Sequence, residues 1–400
     1  MPSSGKESET PDPMVSLRAR VSKKLVGFSN EFPGRQFEEQ MSVGSVEKAD
    51  FPVPELILFT LRNIMGWHWS GEEEKVRWTV YGSVDGEPIF FSLRKFGFKV
   101  GHKVGGKVPV SRVVGQLRAA LKLVEEVLEP FAKHQIGKGE VVIANRFGEF
   151  SSRYLFFREK ADKAFKKAKP KPRKRKKARR RRDFGRKLMT DFVAEMNRAI
   201  KHEKRGFVYS VAMVDCFFSA LEHRLVLLRA FTGRPMADGE LAELLQSKWE
   251  EKLKSVIQVA GDRKVELLFG ELREIKERVR NPFAHGGMEN DGGSLFINMP
   301  RIGSVPANFS RFGKSVRFSH LPVGHDAHAE YCRIFDGLDD ILSSGALLRP
   351  HRLLDAGVDP SFDAENLKTY LATVTGSDEA VEHFIARWSH EWERHANMDY

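Results

Sequence analysis

A dense run of basic residues between Lys166 and Arg182 divides the chain and limits how it can fold. The stretch KKAKPKPRKRKKARRRR holds thirteen Lys or Arg and no acidic residue. Like charges at this density repel one another, and Pro170 and Pro172 interrupt any helix. The run cannot enter a hydrophobic core, so we predict a solvated basic linker over residues 161–184. A chain of 400 residues also exceeds the usual size of one domain, which favours a separate folded part on each side.

The remaining composition narrows the class of protein. Subtracting the thirteen basic residues from the net charge of +12 leaves −1, so the rest of the chain is nearly balanced. Cys216 and Cys332 are too few for a disulfide framework, which favours a reducing compartment. No apolar run is long enough to cross a membrane, and the polar start MPSSGKESETPDP lacks the pattern of a signal peptide. We therefore expect a cytoplasmic protein without a membrane segment.

The region before the run predicts a small α+β domain over residues 51–160, preceded by a disordered or weakly structured region over residues 1–50. Only SLRARVSKKLVGF suggests a short amphipathic element in that first region. VPELILFTLRNIM predicts a short helix, and VRWTVYGSVDGEPIFFSLRKF predicts a β-hairpin that turns at Asp85-Gly86. SRVVGQLRAALKLVEEVLEPF has helical spacing with Ser111 as the N-cap. EVVIANRF is expected to form a strand, and SSRYLFFREKADKAFKK a helix.

The region after the run predicts an antiparallel helical bundle over residues 185–345. Its first three helical patterns are FGRKLMTDFVAEMNRAIKHEK, FVYSVAMVDCFFSALEHRLVLLRAF and LAELLQSKWEEKLKSVIQV, and a fourth ends near Arg280. Short connections between such helices favour antiparallel neighbours. Beyond Gly287 lies an irregular insertion with two strand-like segments, SLFINM and KSVRFSH, and residues 346–400 predict a C-terminal helical extension. The expected fold class is therefore mainly α.

The most informative motif closes the fourth helix, as Arg280-Asn281-Pro282-Phe283-Ala284-His285-Gly286-Gly287. Pro282 has no amide hydrogen, so a regular helix should end or kink near Asn281. Residues five apart on a straight helix project about 140° from each other, so a kink is needed to bring Arg280 and His285 to one cleft. Histidine can act as base or acid near neutral pH, and arginine donates a planar fork to phosphate oxygens. Asn281 can hydrogen-bond the imidazole ring or the phosphate.

An arginine followed by Asn, with a histidine after three more residues, resembles the signature of HEPN-domain proteins, a family that includes many metal-independent ribonucleases. The resemblance covers the segment 185–290. It implies an endoribonuclease in which Arg280 and His285 promote attack by the RNA 2′-hydroxyl, with no metal or cofactor. It also implies a homodimer, because in the family two Arg–His sets face one cleft. A role as a toxin or defence effector follows from the same resemblance, with an antitoxin protein as a partner.

Two other features bear on this assignment. Glu222 lies inside the apolar second helix, where a carboxylate usually has a partner. It is either an acid that orients Arg280 or an exposed residue on a polar stripe, and its neighbour His223 is expected at the surface. Arg62-Asn63 followed by His68 repeats the motif with one more intervening residue. That copy follows a short helix and precedes a hairpin, so we prefer the motif at Arg280.

The basic run has three interpretations: a linker only, a nuclear-localisation-like signal, or an arm that binds nucleic acid. Dense positive charge binds phosphates non-specifically and with strong salt dependence. Because the run directly precedes the predicted nuclease bundle, we favour an RNA-binding arm. Its binding residues would be Lys174, Arg175, Lys176, Lys177, Arg179, Arg180, Arg181 and Arg182.

Other functions stay open. The main alternative to a ribonuclease is a non-catalytic helical module that binds nucleic acid or a partner protein. Another is a nucleotidyltransferase-linked toxin pair, in which this chain needs a separate antitoxin. His325, His328 and Cys332 have helical spacing that could suit zinc, but the sequence offers no evident fourth ligand. We therefore expect an accidental cluster and no metal site.

Overall fold

The structure is a computed structural model that describes residues 13–32, 41–169, 184–281, 295–310, 315–318 and 323–398. Its contacts divide the chain into two compact units, Met1–Ile136 with Ala386–Tyr400, and Gly137–Ile385. As the sequence predicts, the chain is mainly helical with a smaller amount of antiparallel sheet. Within the described ranges, no helix has the length and apolar character needed to span a membrane.

The first unit combines an antiparallel sheet with helices that share its core. Its elements are α1 (Pro13–Lys24), β1 (Phe28–Ser29), β2 (Met41–Ser45), α2 (Glu55–Leu58) with a π-helical continuation (Phe59–Ile64), β3 (His68–Ser70), β4 (Val76–Val84), β5 (Glu87–Arg94), β6 (Gly97–Lys103) and α3 (Val110–Gly137). The strand order is β1-β4-β5-β6-β2, and β3 also pairs with β4. Ser111 lies within the first turn of α3 and is not its N-cap, because the helix already begins at Val110.

The hairpin β4–β5 confirms the sequence prediction. Val84 pairs with Glu87, and the two residues between them, Asp85 and Gly86, have φ values of 48° and 78°. Positive φ at both central positions is the turn geometry that fits the right-handed twist of the two strands. The apolar residues that alternate along the hairpin enter the core of the unit.

Two predicted boundaries of this unit change. Residues 1–50 are not uniformly weak in structure, because Leu17 and Val21 of α1 are buried in the core. Residues 346–400 are not a single extension, because the last residues belong to the first unit. There the Met398 carbonyl oxygen accepts a hydrogen bond from the Lys75 N–H at 2.9 Å.

From residue 147 onward the chain is helical apart from three short strands within the described ranges. The elements are α4 (Phe147–Ala168), α5 (Phe184–Phe231), α6 (Glu240–Gln246), α7 (Trp249–Val256), α8 (Arg263–Ile275) with a π-helical continuation (Lys276–Arg280), β7 (Leu295–Met299), β8 (Gly303–Ser310), β9 (Ser315–Arg317), α9 (His325–Leu342), a 3-10 turn (Gly345–Leu347), α10 (Leu348–Asp355), α11 (Ala364–Thr375) and α12 (Asp378–Asn397). Strands β7 and β9 lie where SLFINM and KSVRFSH predict them.

The helix α5 is continuous over 48 residues, where the sequence predicts two helices. The expected break falls near Gly206, but the helix runs through it. A Cβ atom at this position would lie 2.6 Å from Cε1 of Phe165 on α4. Glycine here lets α4 approach α5 closely instead of ending the helix. Because the first two predicted helices are one, the predicted order of four successive antiparallel helices is not confirmed.

The helix α4 belongs to the second unit, so the domain boundary lies before it. Arg158 of α4 donates to both carboxylate oxygens of Asp336 on α9, at 2.5 and 2.7 Å. These contacts attach α4 to the helices that follow the basic run. The predicted domains 51–160 and 185–345 therefore shift, and the division falls between Ile136 and Gly137.

The centre of the second unit is a cluster of aromatic rings on α4, α5 and α9. Phe335 is fully buried, and its ring stacks on Phe217 with a centroid distance of 3.6 Å. Tyr154 and Phe218 meet the Phe335 ring edge-on at 6.1 and 6.4 Å. Aromatic rings contribute much of the apolar area in a core. The three helices are therefore held by one shared cluster.

Two further elements differ from the sequence prediction. The predicted third helix is divided into α6 and α7, because Ser247 and Lys248 between them are extended. The break brings Trp249 into the core, where it is 2% exposed. The segment EVVIANRF is not a strand beyond one bridge at Val142. Its Asn145 side chain instead donates to two backbone carbonyl oxygens near the end of α10, at 2.8 and 3.1 Å.

Candidate functional site

The segment that leads into the Arg280 motif is irregular just before the motif. After Ile275, the helix α8 widens into the π-helical turn Lys276–Arg280, and the Asn281 N–H bonds to the Lys276 carbonyl oxygen. A π turn displaces the side chains after it relative to those before it, and such turns are frequent at functional sites. Arg280 is thus presented by a local change in helix geometry that directly precedes Pro282.

Arg280 pairs with an acid on α5. Its Nε lies 3.3 Å from Oδ1 of Asp215, and the two side chains are 28% and 53% exposed. The Nε atom is buried, and no acceptor within the described ranges completes a hydrogen bond of regular geometry with it. The contact is therefore an ion pair that holds the guanidinium on the surface of α5. Its two terminal nitrogens have no acceptor in the part of the chain that the structure describes.

Asn281 continues the helix beyond Arg280. Its backbone has φ −63° and ψ −46°, which is helical geometry. Its Nδ2 donates to Oε1 of Glu277 at 3.1 Å, which fixes the side-chain amide one turn back along the helix. Residues 282–294 lie outside the described residues, and His285 is among them. The geometry of Arg280 and Asn281 is therefore known, and the position of His285 stays a prediction.

Glu222 does not contact Arg280. Its carboxylate oxygens lie 3.3 Å from Nζ of Lys276 and 3.9 Å from Nζ of Lys252. Burial lowers the pKa of Lys276, and the nearby Glu222 carboxylate opposes this shift. Glu222 is one-third exposed, so it is neither fully buried nor a free surface residue. The expected role of orienting Arg280 is not what the contacts show, because Glu222 is engaged by two lysines.

Asp215 is the residue that the sequence reasoning missed. It lies seven positions before Glu222 and three before Phe218, on the same stripe of α5. An acid on that stripe is placed to meet any cation of a helix packed against it, so the position of Asp215 in the sequence did indicate such a contact. Lys276 was also missed. Its ammonium nitrogen lies 5.3 Å from the Phe218 ring centroid.

The competing motif in the first unit has different surroundings. The Arg62 guanidinium lies over the Trp69 ring at 3.5 Å from its centroid. His68 is exposed on β3 and pairs through its backbone with Tyr81. His223, expected at the surface, is half-buried, and its Nε2 accepts a hydrogen bond from the Arg146 N–H at 3.0 Å. Burial lowers the pKa of His223.

The cluster of His325, His328 and Cys332 is part of the packing between helices. His328 is 1% exposed, and its Nδ1 lies 2.9 Å from Oγ of Ser210 on α5. Its Nε2 lies 3.0 Å from Oδ1 of Asp162 on α4. Both ring nitrogens are thus engaged by protein groups, and burial lowers the pKa of the imidazole. The side chain links α4, α5 and α9.

The basic run lies almost wholly outside the described residues. The eight candidate residues for nucleic-acid binding, from Lys174 to Arg182, fall within the undescribed segment 170–183. The chain enters this segment beside α5, where Arg198 Nη1 donates to the Lys167 carbonyl oxygen at 2.9 Å. It leaves the segment at Phe184, the first residue of α5.

Comparisons with known proteins add no relative. No family model, no curated protein and no solved structure matches this chain.

Proposed function

We propose that this chain is a metal-independent endoribonuclease of HEPN type that cleaves RNA with Arg280 and His285. One observation carries the proposal: Arg280 lies at the end of a π-helical turn, and only its Nε lies against Asp215, at 3.3 Å, which leaves its outer edge open. Its terminal nitrogens have no other acceptor within the described ranges. A guanidinium held through Nε can still offer its outer edge to a phosphate.

The chemistry assigns one task to each residue. His285 removes the proton from the 2′-hydroxyl, and the 2′ oxygen then attacks the adjacent phosphorus. The bond from phosphorus to the 5′ oxygen breaks, and that oxygen takes up a proton from the protonated imidazole or from water. Arg280 stabilises the negative charge that develops on the non-bridging oxygens. The products are a 2′,3′-cyclic phosphate and a 5′-hydroxyl, and the reaction consumes no water at this step.

The direct test is cleavage of RNA by the purified full chain. The protein should cut single-stranded RNA in the presence of excess chelator, and end-group analysis should find 2′,3′-cyclic phosphates. Activity that disappears in chelator and returns with a divalent cation would contradict a metal-independent mechanism. Activity that leaves 3′-hydroxyl ends would rule out the 2′-hydroxyl as nucleophile.

A non-catalytic module that binds nucleic acid or protein is the second candidate, and the ion pair itself favours it. Asp215 offsets part of the positive charge of Arg280, which is the arrangement expected for a structural contact. In that case purified protein should bind RNA without cutting it. For the ribonuclease, the resemblance to HEPN proteins implies a toxin or defence role in the cytoplasm, with an antitoxin protein as its partner.

A homodimer is part of the proposal, because a single chain supplies a single Arg–His set. The first half of α5 exposes an apolar stripe, which consists of Met189, Phe192, Val193, Met196 and Ile200. Side chains at these spacings share one helix face, and a second copy of α5 could cover it. Light scattering on the full chain should therefore give twice the monomer mass. Phe192→Ser should shift the protein towards monomer and reduce cleavage, and a monomeric wild type with full activity would contradict the shared cleft.

The basic run should supply affinity without sequence preference. Deleting residues 166–182 removes thirteen positive charges, so RNA binding should weaken. The slope of log K against log salt should also become shallower, by roughly 0.7 for each phosphate of a single strand that the run neutralises. Binding by fluorescence anisotropy at several salt concentrations measures both. An unchanged affinity and slope would show that the run is only a linker or a nuclear-localisation-like signal.

A further inference from the structure

A cavity of about 270 Å³ lies within the second unit and is bordered by α4, α5, α9 and α10. It is separate from the Arg280 site. Arg224 on its wall follows Asp215 by nine residues on α5, which places the two side chains on opposite sides of the helix, about 180° apart.

Arg224 is the unusual residue of this cavity. Its side chain is 4% exposed, and its Nη1 donates to Oδ1 of Asp339 at 2.6 Å. Its Nε and Nη2 atoms are buried and have no hydrogen-bond partner within the described ranges. Together these two nitrogens form the edge of a guanidinium that binds a carboxylate with two parallel hydrogen bonds. Buried donors without acceptors are costly, so an acceptor supplied by a ligand would be favoured.

The charges around Arg224 restrict what that ligand can be. Asp339 and Asp355 line the same cavity, and their side chains are 44% and 61% exposed. Burial lowers the pKa of His351 beside them, which favours its neutral form near pH 7. One guanidinium and two carboxylates leave the site with an excess of negative charge. A simple anion would be repelled by that excess, and a simple cation would leave the Arg224 edge unpaired.

The remaining walls are apolar. The apolar lining includes Phe147, Leu155, Phe217 and Leu221. The centroid of the Phe147 ring lies 5.3 Å from the Arg224 guanidinium carbon. A cavity of 270 Å³ has room for roughly nine water-sized groups at about 30 Å³ each. That is the scale of a single amino acid.

We propose that this cavity binds a free α-amino acid with an apolar or aromatic side chain. The carboxylate accepts from Nε and Nη2 of Arg224, and the ammonium lies beside Asp339 and Asp355. The side chain of the ligand occupies the apolar part of the cavity. The two nitrogens have no exposed surface in this structure, so the ligand reaches them only when the Phe147 ring, which lies over the guanidinium, moves aside. This site is independent of the ribonuclease proposal and would make the chain responsive to a metabolite.

Three matched probes test the proposal on the full chain by isothermal titration calorimetry. L-phenylalanine carries both charges, 3-phenylpropionate lacks the ammonium, and 2-phenylethylamine lacks the carboxylate. We expect L-phenylalanine to bind with a Kd below about 1 mM, and each truncated probe to bind at least about tenfold more weakly. No binding of L-phenylalanine, leucine, methionine or tryptophan at several millimolar would overturn the proposal. So would equal or tighter binding of either truncated probe.

Substitutions then locate the site. Asp355→Asn should weaken L-phenylalanine at least about fivefold with little effect on 3-phenylpropionate, because it removes a partner of the ammonium only. Asp326→Asn is the matched control, since that side chain is fully exposed on α9 and lies outside the cavity. Arg224→Lys should weaken both ligands, and its thermal unfolding curve reports whether the fold survives. Undiminished binding by a folded Arg224→Lys or by Asp355→Asn would place the ligand elsewhere and overturn the assignment.

Discussion

Replacing His285 or Arg280 with alanine is expected to abolish RNA cleavage while the protein stays folded. Loss of one acid–base group typically slows a reaction by about a hundred- to ten-thousand-fold. Arg280 is 28% exposed and its ion pair is partly solvated, so its removal should change the free energy of unfolding by no more than about 1 kcal/mol. Cleavage rates of a labelled RNA, with thermal unfolding of each variant, measure both effects.

Two variants sharpen this test. Arg280→Lys keeps the charge but loses the planar fork, so it should recover only part of the activity if the guanidinium binds phosphate through two nitrogens. His68→Ala is the matched control, because Arg62-Asn63 and His68 form the competing motif on the first unit. If His68→Ala removes activity and His285→Ala does not, the site lies in the first unit. If every variant binds RNA and the wild type never cuts it, the binding module is correct.

Phe335→Ala should lower the free energy of unfolding by about 3–5 kcal/mol, the typical cost of removing a buried phenylalanine side chain. The ring is fully buried and touches aromatic residues from both α4 and α5. Its loss leaves a cavity that the stacked Phe217 ring cannot fill without moving. Urea denaturation followed by circular dichroism gives the change directly.

The matched control is Phe156→Ala on α4. That side chain is 51% exposed, so its loss should change the free energy of unfolding by less than about 1 kcal/mol.

The comparison also tests the corrected domain boundary. If α4 belonged to the N-terminal unit, as the sequence predicts, Phe335→Ala would destabilise only the helices after the basic run. A protein in which α4 stays protected from hydrogen exchange while α5 and α9 lose protection would contradict a shared core.

Local signals predicted most elements, and long-range contacts decided the arrangement. The β4–β5 hairpin followed from alternation and from the Asp85-Gly86 turn, which needs no distant partner. The break expected near Gly206 is absent, and a glycine in a helical pattern can mark either a break or a close approach. Only the Phe165 ring on α4 distinguishes the two. The boundary of the second unit also differs from the prediction, because only contacts between distant residues, such as Arg158 with Asp336, assign α4 to that unit.

Only the residues of the motif itself were predictable from the sequence, and their partners on α5 were not. The motif identified Arg280 and Asn281, and the periodicity identified the helix that carries them. Periodicity does not reveal which residue of another helix will face a given side chain. Glu222 and Asp215 share one stripe of α5, and the packing of α8 assigns Arg280 to Asp215 and Lys276 to Glu222. Arg224 escaped notice because one cation in an apolar helix has many explanations until its neighbours are known.

The unbroken length of α5 sets a distance between the two parts of the proposed RNA-binding surface. Asp215, which holds Arg280, lies 17 residues after Arg198 and 31 after Phe184, the points where α5 meets the ends of the basic run. At 1.5 Å per residue these separations are about 26 and 47 Å along the helix axis. A stacked strand advances about 3.4 Å per nucleotide, so the nearer span corresponds to about eight nucleotides. The helix would then set a minimum length of RNA for binding to both parts. An oligonucleotide shorter than about eight nucleotides could occupy the cleavage site or the entry to the arm, but not both at once.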